Sequence, residues 1–320
     1  MTRAAPGDGA TQAMASPTPQ PAPGAAPTHV AVVLFREAPA LERLFEVFRR
    51  LPFTSDVVLQ QTHVRLDTPA GVVHASTFGA PWPDLDPDSL AELGGVGAGL
   101  HPGALQRAAD QSVVWPGGAL AADAHQGFVH LIVAEGTGGP RAQAEELERL
   151  AVAMLADPAA LCVFFPAGES LRDGHVMGHI RAAAQEQGAV PLQNWVNGRL
   201  AQSAEGAVVA DLIGLGQVGL PDAEAVFPER EDLPPYEVLG FLLDIAHHLA
   251  LEGGALEEGV IYEGPGGLRW RAGLDADSQI APTRRVVRWI PLAPTDEGSA
   301  PEGGAAADGA AAGPGEGSNP

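Results

Sequence analysis

Apolar runs of strand length alternate with stretches of helical periodicity between Thr28 and Pro291, and neither pattern occurs outside those limits. This distribution confines folding to residues 28–291, because a segment with no face to bury cannot offset the entropy of ordering its backbone. The flanks, residues 1–27 and 292–320, are mostly Ala, Gly, Pro, Ser and Thr and read as disordered tails. A middle of this size lies near the roughly 250 to 300 residues at which single cores stop growing, so one globular unit is expected.

Within it, Val30–Phe35 reads as a strand, and Leu41, Leu44, Phe45, Val47 and Phe48 then fall at helical spacing. Residues 56–61, 62–66 and 71–78 read as strands, with Pro69-Ala70-Gly71 as turn chemistry between the last two. Residues 81–127 dissolve into Pro, Gly and Asp around one short helix near 104–110, a possible loop insertion. A strand over 128–134, a helix over 141–156 and a strand over 160–165 follow, a passage that usually makes a parallel crossover. Residues 171–187 read as a helix stopped by Gly188, and 190–201 and 206–214 as strands. The last helix spans 233–252, opened by Pro234-Pro235 and closed by Gly253-Gly254, and short strands end the fold. The fold class is therefore α/β or α+β: a mixed β-sheet with about four main helices, its two βα-type halves packed as one unit.

The chain carries 40 acidic against 18 basic residues, a net charge of -22. Such a field repels phosphate backbones and anionic lipid, so nucleic acid and membrane surfaces are not expected partners. All the basic residues are arginines, and without lysine there is no Schiff base and no phosphate-loop lysine. The single cysteine, Cys162, lies in an apolar run and reads as a buried hydrophobe. No secretory leader pattern and no run near the roughly 20 apolar residues of a spanning helix is found, so a cytoplasmic location is expected.

Several patterns invite a chemical reading. Gly214-Leu215-Gly216-Gln217-Val218-Gly219 matches GxGxxG after a strand, yet Pro221 and Pro228 leave little room for the helix whose N-terminus would hold a pyrophosphate. Extended structure without a helix is expected from Gly214 to Phe227, and no cofactor. His175 and His179, four apart on a helix, could share a metal, with Asp173 or Glu169 as third ligand, but Val176 stands where HExxH needs its glutamate. His125 and His130 flank or occupy a strand, where a hydrogen-bonded histidine is the ordinary alternative to a ligand. Asp84 and Asp86 in a Pro-rich loop suit a hard cation or simple turns. Arg269, Trp270, Arg271, Arg285, Arg288 and Trp289 concentrate basic and aromatic residues near the C-terminal end, as a partner-binding surface would, or as a charged strand edge would.

The order of elements resembles a bacterial family known as domain of unknown function 4261. The resemblance rests on the Val30–Phe35 strand, Ala80-Pro81-Trp82-Pro83-Asp84-Leu85, His130-Leu131-Ile132-Val133, Leu192-Gln193-Asn194-Trp195-Val196-Asn197 and the stretch Gly216–Glu224. It would cover Thr28 to about Leu274, with the glycine-rich 94–118 as a departure. The resemblance implies no activity, since the family has none assigned, and it favours a strand-and-turn reading of the GxGxxG segment.

The expectation for function is a non-catalytic protein-binding or regulatory module, in a toxin-immunity or stress setting, whose acidity suits a basic protein partner. The alternative is a metal-dependent hydrolase using the histidines, which would require three of them, or two with a carboxylate, to converge.

Overall fold

The computed structural model describes residues 29–83, 101–111, 115–253 and 256–292. Nearly all of the two tails, and the aspartates at 84, 86 and 88, lie outside the described residues. Leu292 itself is part of the fold, donating its backbone N–H to Arg269 O at 2.8 Å.

The first sheet contains β1 (Val30–Phe35), β2 (Asp56–Leu59), β3 (Val64–Thr68), β4 (Gly71–Phe78), β5 (Gly127–Gly136), β6 (Ala160–Phe165) and β7 (Ser170–Arg172). Their order is β2-β3-β4-β5-β1-β6-β7, and every neighbouring pair is antiparallel. The parallel strand pairing expected from the β5–helix–β6 passage is therefore corrected, although the crossover itself is present. β5 and β6 both run against β1, hence in the same direction as each other, but β1 fills the slot between them. The physical reason is in β1 itself: all six residues are buried, so VAVVLF needs a central position covered on both faces. Ala31, Val33 and Phe35 point into one core cluster and Val30, Val32 and Leu34 into another.

α1 (Leu41–Phe48) and α4 (Pro140–Met154) cover one face of this sheet. α2 (Ala104–Asp110) and the unforeseen α3 (Gly118–Ala124) cover the other with small residues: Ala104, Ala108 and Ala121 pack on Val32, Leu34 and Phe164. The β1–α1 and β5–α4–β6 units thus share one sheet and do not form two separate halves.

The second sheet has the order β11-β12-β13-β10-β9-β8, from β8 (Asn197–Gln202), β9 (Val208–Ile213), β10 (Ala223–Phe227), β11 (Ile261–Glu263), β12 (Arg269–Asp277) and β13 (Arg285–Pro291). Only β10 and β13 pair in parallel, so this sheet is mixed and the fold is α+β. α7 (Pro235–Glu252) lies on it, with Val238, Leu242, Ile245, Ala246 and Leu249 in the same core cluster as Val33 and Phe35 of the first sheet. Of the seven α-helices among the described residues, five fall where the sequence places them, four by helical periodicity and the short α2 near 104–110. None is long and apolar enough to cross a membrane.

Two local expectations change. Between α5 (Gly174–Gln187) and β8 the chain makes one turn of helix, α6 (Leu192–Trp195), where a strand was expected from 190. Pro191 precedes it, and Leu192 and Trp195, three apart, are both fully buried. The GxGxxG segment forms a short 3-10 helix, Leu215–Val218, between Gly214 and Gly219, both at positive φ. Extended structure resumes only at β10.

Candidate functional site

Strand alternation turns Val208, Ala210 and Leu212 of β9 toward α7, which leaves Asp211 on the opposite face. The register then sets a row of charge across four strands: Arg199 of β8 opposite Asp211, Asp211 opposite Glu224 of β10, and Glu224 opposite Arg288 of β13. Arg199, Asp211 and Glu224 are buried. Arg199 donates from Nε and Nη2 to Asp211 Oδ2 at 2.8 and 2.6 Å, and Arg284 donates to Asp211 Oδ1. Arg288 donates to Glu224 Oε1 at 2.9 Å, while the Gln279 N–H donates to Oε2 at 2.7 Å.

The network reaches the first sheet through Glu169, a buried non-glycine residue at φ 44° in the turn before β7. Its carboxylate accepts from Arg199 Nη1 at 3.0 Å and from Arg107 of α2 at 2.9 and 3.0 Å. Asp222 accepts from Arg284 Nε at 2.6 Å and from the backbone N–H groups of Gly214 and Leu215, both at 2.9 Å. Burial holds the Asp222 carboxyl above its ordinary pKa despite Arg284. Four arginines thus answer four carboxylates, which an all-arginine basic complement suits, since the planar guanidinium bonds carboxylates bidentately with less desolvation than an ammonium. His101 lies beside Arg284, Arg107 and Arg199; burial first, and then those charges, push its pKa down to about 4.

Next along the chain from Asp222 and Arg284, residues 219–221 and 285–287 line a groove. The cavity, about 420 Å³, is lined by Leu220, Leu249, Leu256, Leu274 and Val286, with Asp275 and Arg285 exposed at its lip. The groove runs from the C-terminal end of α7 to the start of β13. Its outer edge is shaped by an irregularity in β12 between Gly273 and Ala276, where Asp275 adopts φ 54°. Arg285 donates to Asp275 O at 2.6 Å and lies 3.2 Å from Asp277 Oδ1. Glu258 accepts the Leu274 N–H at 2.5 Å.

The histidines are distributed elsewhere. His125 accepts the Trp82 N–H at Nε2, 2.8 Å, and its Nδ1 faces Ala122 O. The ring of His130 lies 6.3 Å from that of Trp82, and burial lowers its pKa to about 4. His175 and His179 sit exposed on α5. No group of three His, Cys, Asp or Glu side chains that could hold a metal is present among the described residues. Cys162 is a free thiol, and burial raises its pKa.

The arginine and tryptophan cluster divides. Trp270 and Trp289 are core residues, each ringed by aromatics: Phe227 and Phe241 around Trp270, Phe241 and Tyr262 around Trp289. Arg269 and Arg271 are exposed, Arg285 stands at the groove and Arg288 is bound to Glu224. The burial follows from the period of two along β12 and β13, which puts each tryptophan on the face opposite its arginine neighbours. Sequence reasoning offered Glu169 only as a metal ligand, whereas it binds Arg199 and Arg107, and gave Asp211, Asp222 and Glu224 no role. An acidic residue inside the apolar runs VVADLI and AEAVF was the available sign that a buried cation faces it.

The fold and groove define an α+β protein of two sheets sharing one core, with an apolar cleft in the second sheet's unit and a neutralised ion network behind it. Residues 212–290 match the family model of the domain of unknown function 4261. The matched residues include the Gly216–Glu224 stretch and every residue lining the groove. No curated protein and no solved structure matches the chain.

Proposed function

We propose that the protein is a non-catalytic protein-binding module that meets its partner at the groove of the second sheet. The observation that carries this reading is the groove itself: an apolar floor of leucine and valine side chains lying wholly within the segment shared with the family, and open to solvent at Asp275 and Arg285. Cavities with mostly apolar walls and a few rim charges are what protein and ligand recognition both use. The reading is also supported by how the conspicuous ionisable residues are occupied: Arg199 and Arg284 pair with Glu169, Asp211 and Asp222, Arg172 donates to backbone carbonyls, and His125 and His247 bond to the backbone.

Affinity capture with the parent protein and with Leu274→Glu, compared side by side, tests it. A polypeptide retained by the parent and lost by the variant is the expected result; identical retention profiles would remove the groove as the binding surface.

A further inference from the structure

We infer that the groove accepts a basic segment of a partner protein, an aliphatic or aromatic side chain entering the cleft while an adjacent lysine or arginine meets the carboxylates at its lip. This rests on the protein-binding reading above and adds the chemistry of the occupant.

Charge around the opening is one-sided. Glu258 is fixed at the lip by the Leu274 N–H, Asp275 lines it, Asp277 stands beside Arg285, and Glu252 precedes the lining residue Gly253. Arg285 is the only cation among the described lining residues, and Asp277 together with the Asp275 carbonyl already answers it. An anionic occupant would have to displace those bonds, whereas a cationic one meets the exposed carboxylates of Asp275 and Glu258.

The helix end argues the same way. α7 terminates at the groove with Gly253 in the left-handed conformation, so its last carbonyls and the negative end of its dipole lie there. A helix C-terminus favours cations, yet the last turn of α7 holds no basic residue and carries Glu252. The helix end disfavours that carboxylate, which faces the His248 ring, 3.2 Å away. A lysine or arginine from outside would meet the negative helix end and the Asp275 and Glu258 carboxylates, while the net charge of -22 would speed its approach.

Fluorescence anisotropy with three labelled short peptides of equal length, alternating Leu/Arg, Leu/Ser and Leu/Glu, measures this against the full chain. The Leu/Arg peptide is expected to bind at least about tenfold more tightly than Leu/Ser, with the advantage shrinking as salt rises. Asp275→Asn combined with Asp277→Asn, both at exposed positions, should close most of that gap, and Leu256→Arg should abolish binding of both peptides. If the gap survives the double variant, bulk acidity and not the lip attracts the peptide, and the inference fails. If Leu/Ser binds as tightly as Leu/Arg and Leu256→Arg abolishes both, the groove docks apolar segments without regard to charge; the inference fails while the protein-binding reading stands. If no peptide responds to Leu256→Arg, both fall. A parent dimer in sedimentation that Leu256→Arg dissociates would make a second copy the occupant and would also overturn the inference.

Discussion

Asp211 and Glu224 stand directly opposite each other on adjacent antiparallel strands, and neither side chain reaches solvent. Like charges in that relation repel, so the arrangement depends on Arg199 and Arg284 at one carboxylate and Arg288 at the other. Arg199→Ala strips Asp211 and Glu169 of a shared buried partner, which should cost about 3 to 5 kcal/mol. Urea unfolding measures it; a loss under about 1 kcal/mol would mean that the remaining arginines reorganise to fill the gap. Replacing the pair together, Arg199→Met with Asp211→Leu, should recover most of the loss, because no isolated charge is then left inside.

The two outer glycines of the GxGxxG segment and the middle one should respond oppositely to a methyl group. A Cβ on Gly214 would meet Gly168 Cα at 2.4 Å, and its φ of 104° disfavours any side chain. Nothing lies within 4 Å of the Cβ position on Gly216. Gly214→Ala should therefore cost roughly 1 to 3 kcal/mol or more, while Gly216→Ala stays within about 0.5 kcal/mol. A dinucleotide loop would instead lose ligand binding at Gly216, so an NADH titration of the parent that saturates and is abolished by Gly216→Val would reverse the structural reading. The Gly214 and Leu215 amides that such a loop would offer are bonded to Asp222.

Trp195 is fully buried, and Gly168 is pressed so closely on its carbonyl that no side chain would fit there. Trp195→Ala should cost about 3 to 5 kcal/mol, read from the melting midpoint. A near-neutral melt would show that the turn between α5 and β8 tolerates a cavity.

Acid should weaken the fold through His130 and His101. Both have a folded pKa of about 4 because burial disfavours the imidazolium, against 6.5 for the free side chain. Between those values the unfolded chain binds protons that the folded chain refuses, so stability is lost as pH falls through 6.5, by up to about 1.4 kcal/mol per pH unit for each histidine. Glu146 and Glu148, whose carboxyls burial pushes up, act in the opposite sense. Comparing His130→Gln with the parent at pH 7 and pH 5 cancels them. The variant should lose less stability on acidification, and equal losses would show that His130 is protonated without cost.

How far the sequence reached can be read from particular elements. Residues 41–48, 140–154, 174–187 and 235–252 announced themselves as helices because apolar spacing, Pro235 at a first turn, and Gly188 and Gly253 at C-caps are local properties of the chain. The six-residue run of β1 likewise declared a buried strand. The sequence could not place β1 between β5 and β6, because strand neighbours are chosen by backbone hydrogen bonds between residues far apart, here Val32 with His130 on one side and Phe164 on the other. The site was less legible still. Period-two alternation implied that Trp270 and Arg271 face opposite ways, but which face α7 would cover was a tertiary matter. Arg107 and Glu169 are 62 residues apart, as are Arg284 and Asp222, so the network has no local pattern to announce it. The groove exists only because the end of α7 and an irregularity in β12 come together over β13. Local preference wrote the elements; burial of charge and apolar surface between distant ones decided where the ion network and the groove lie.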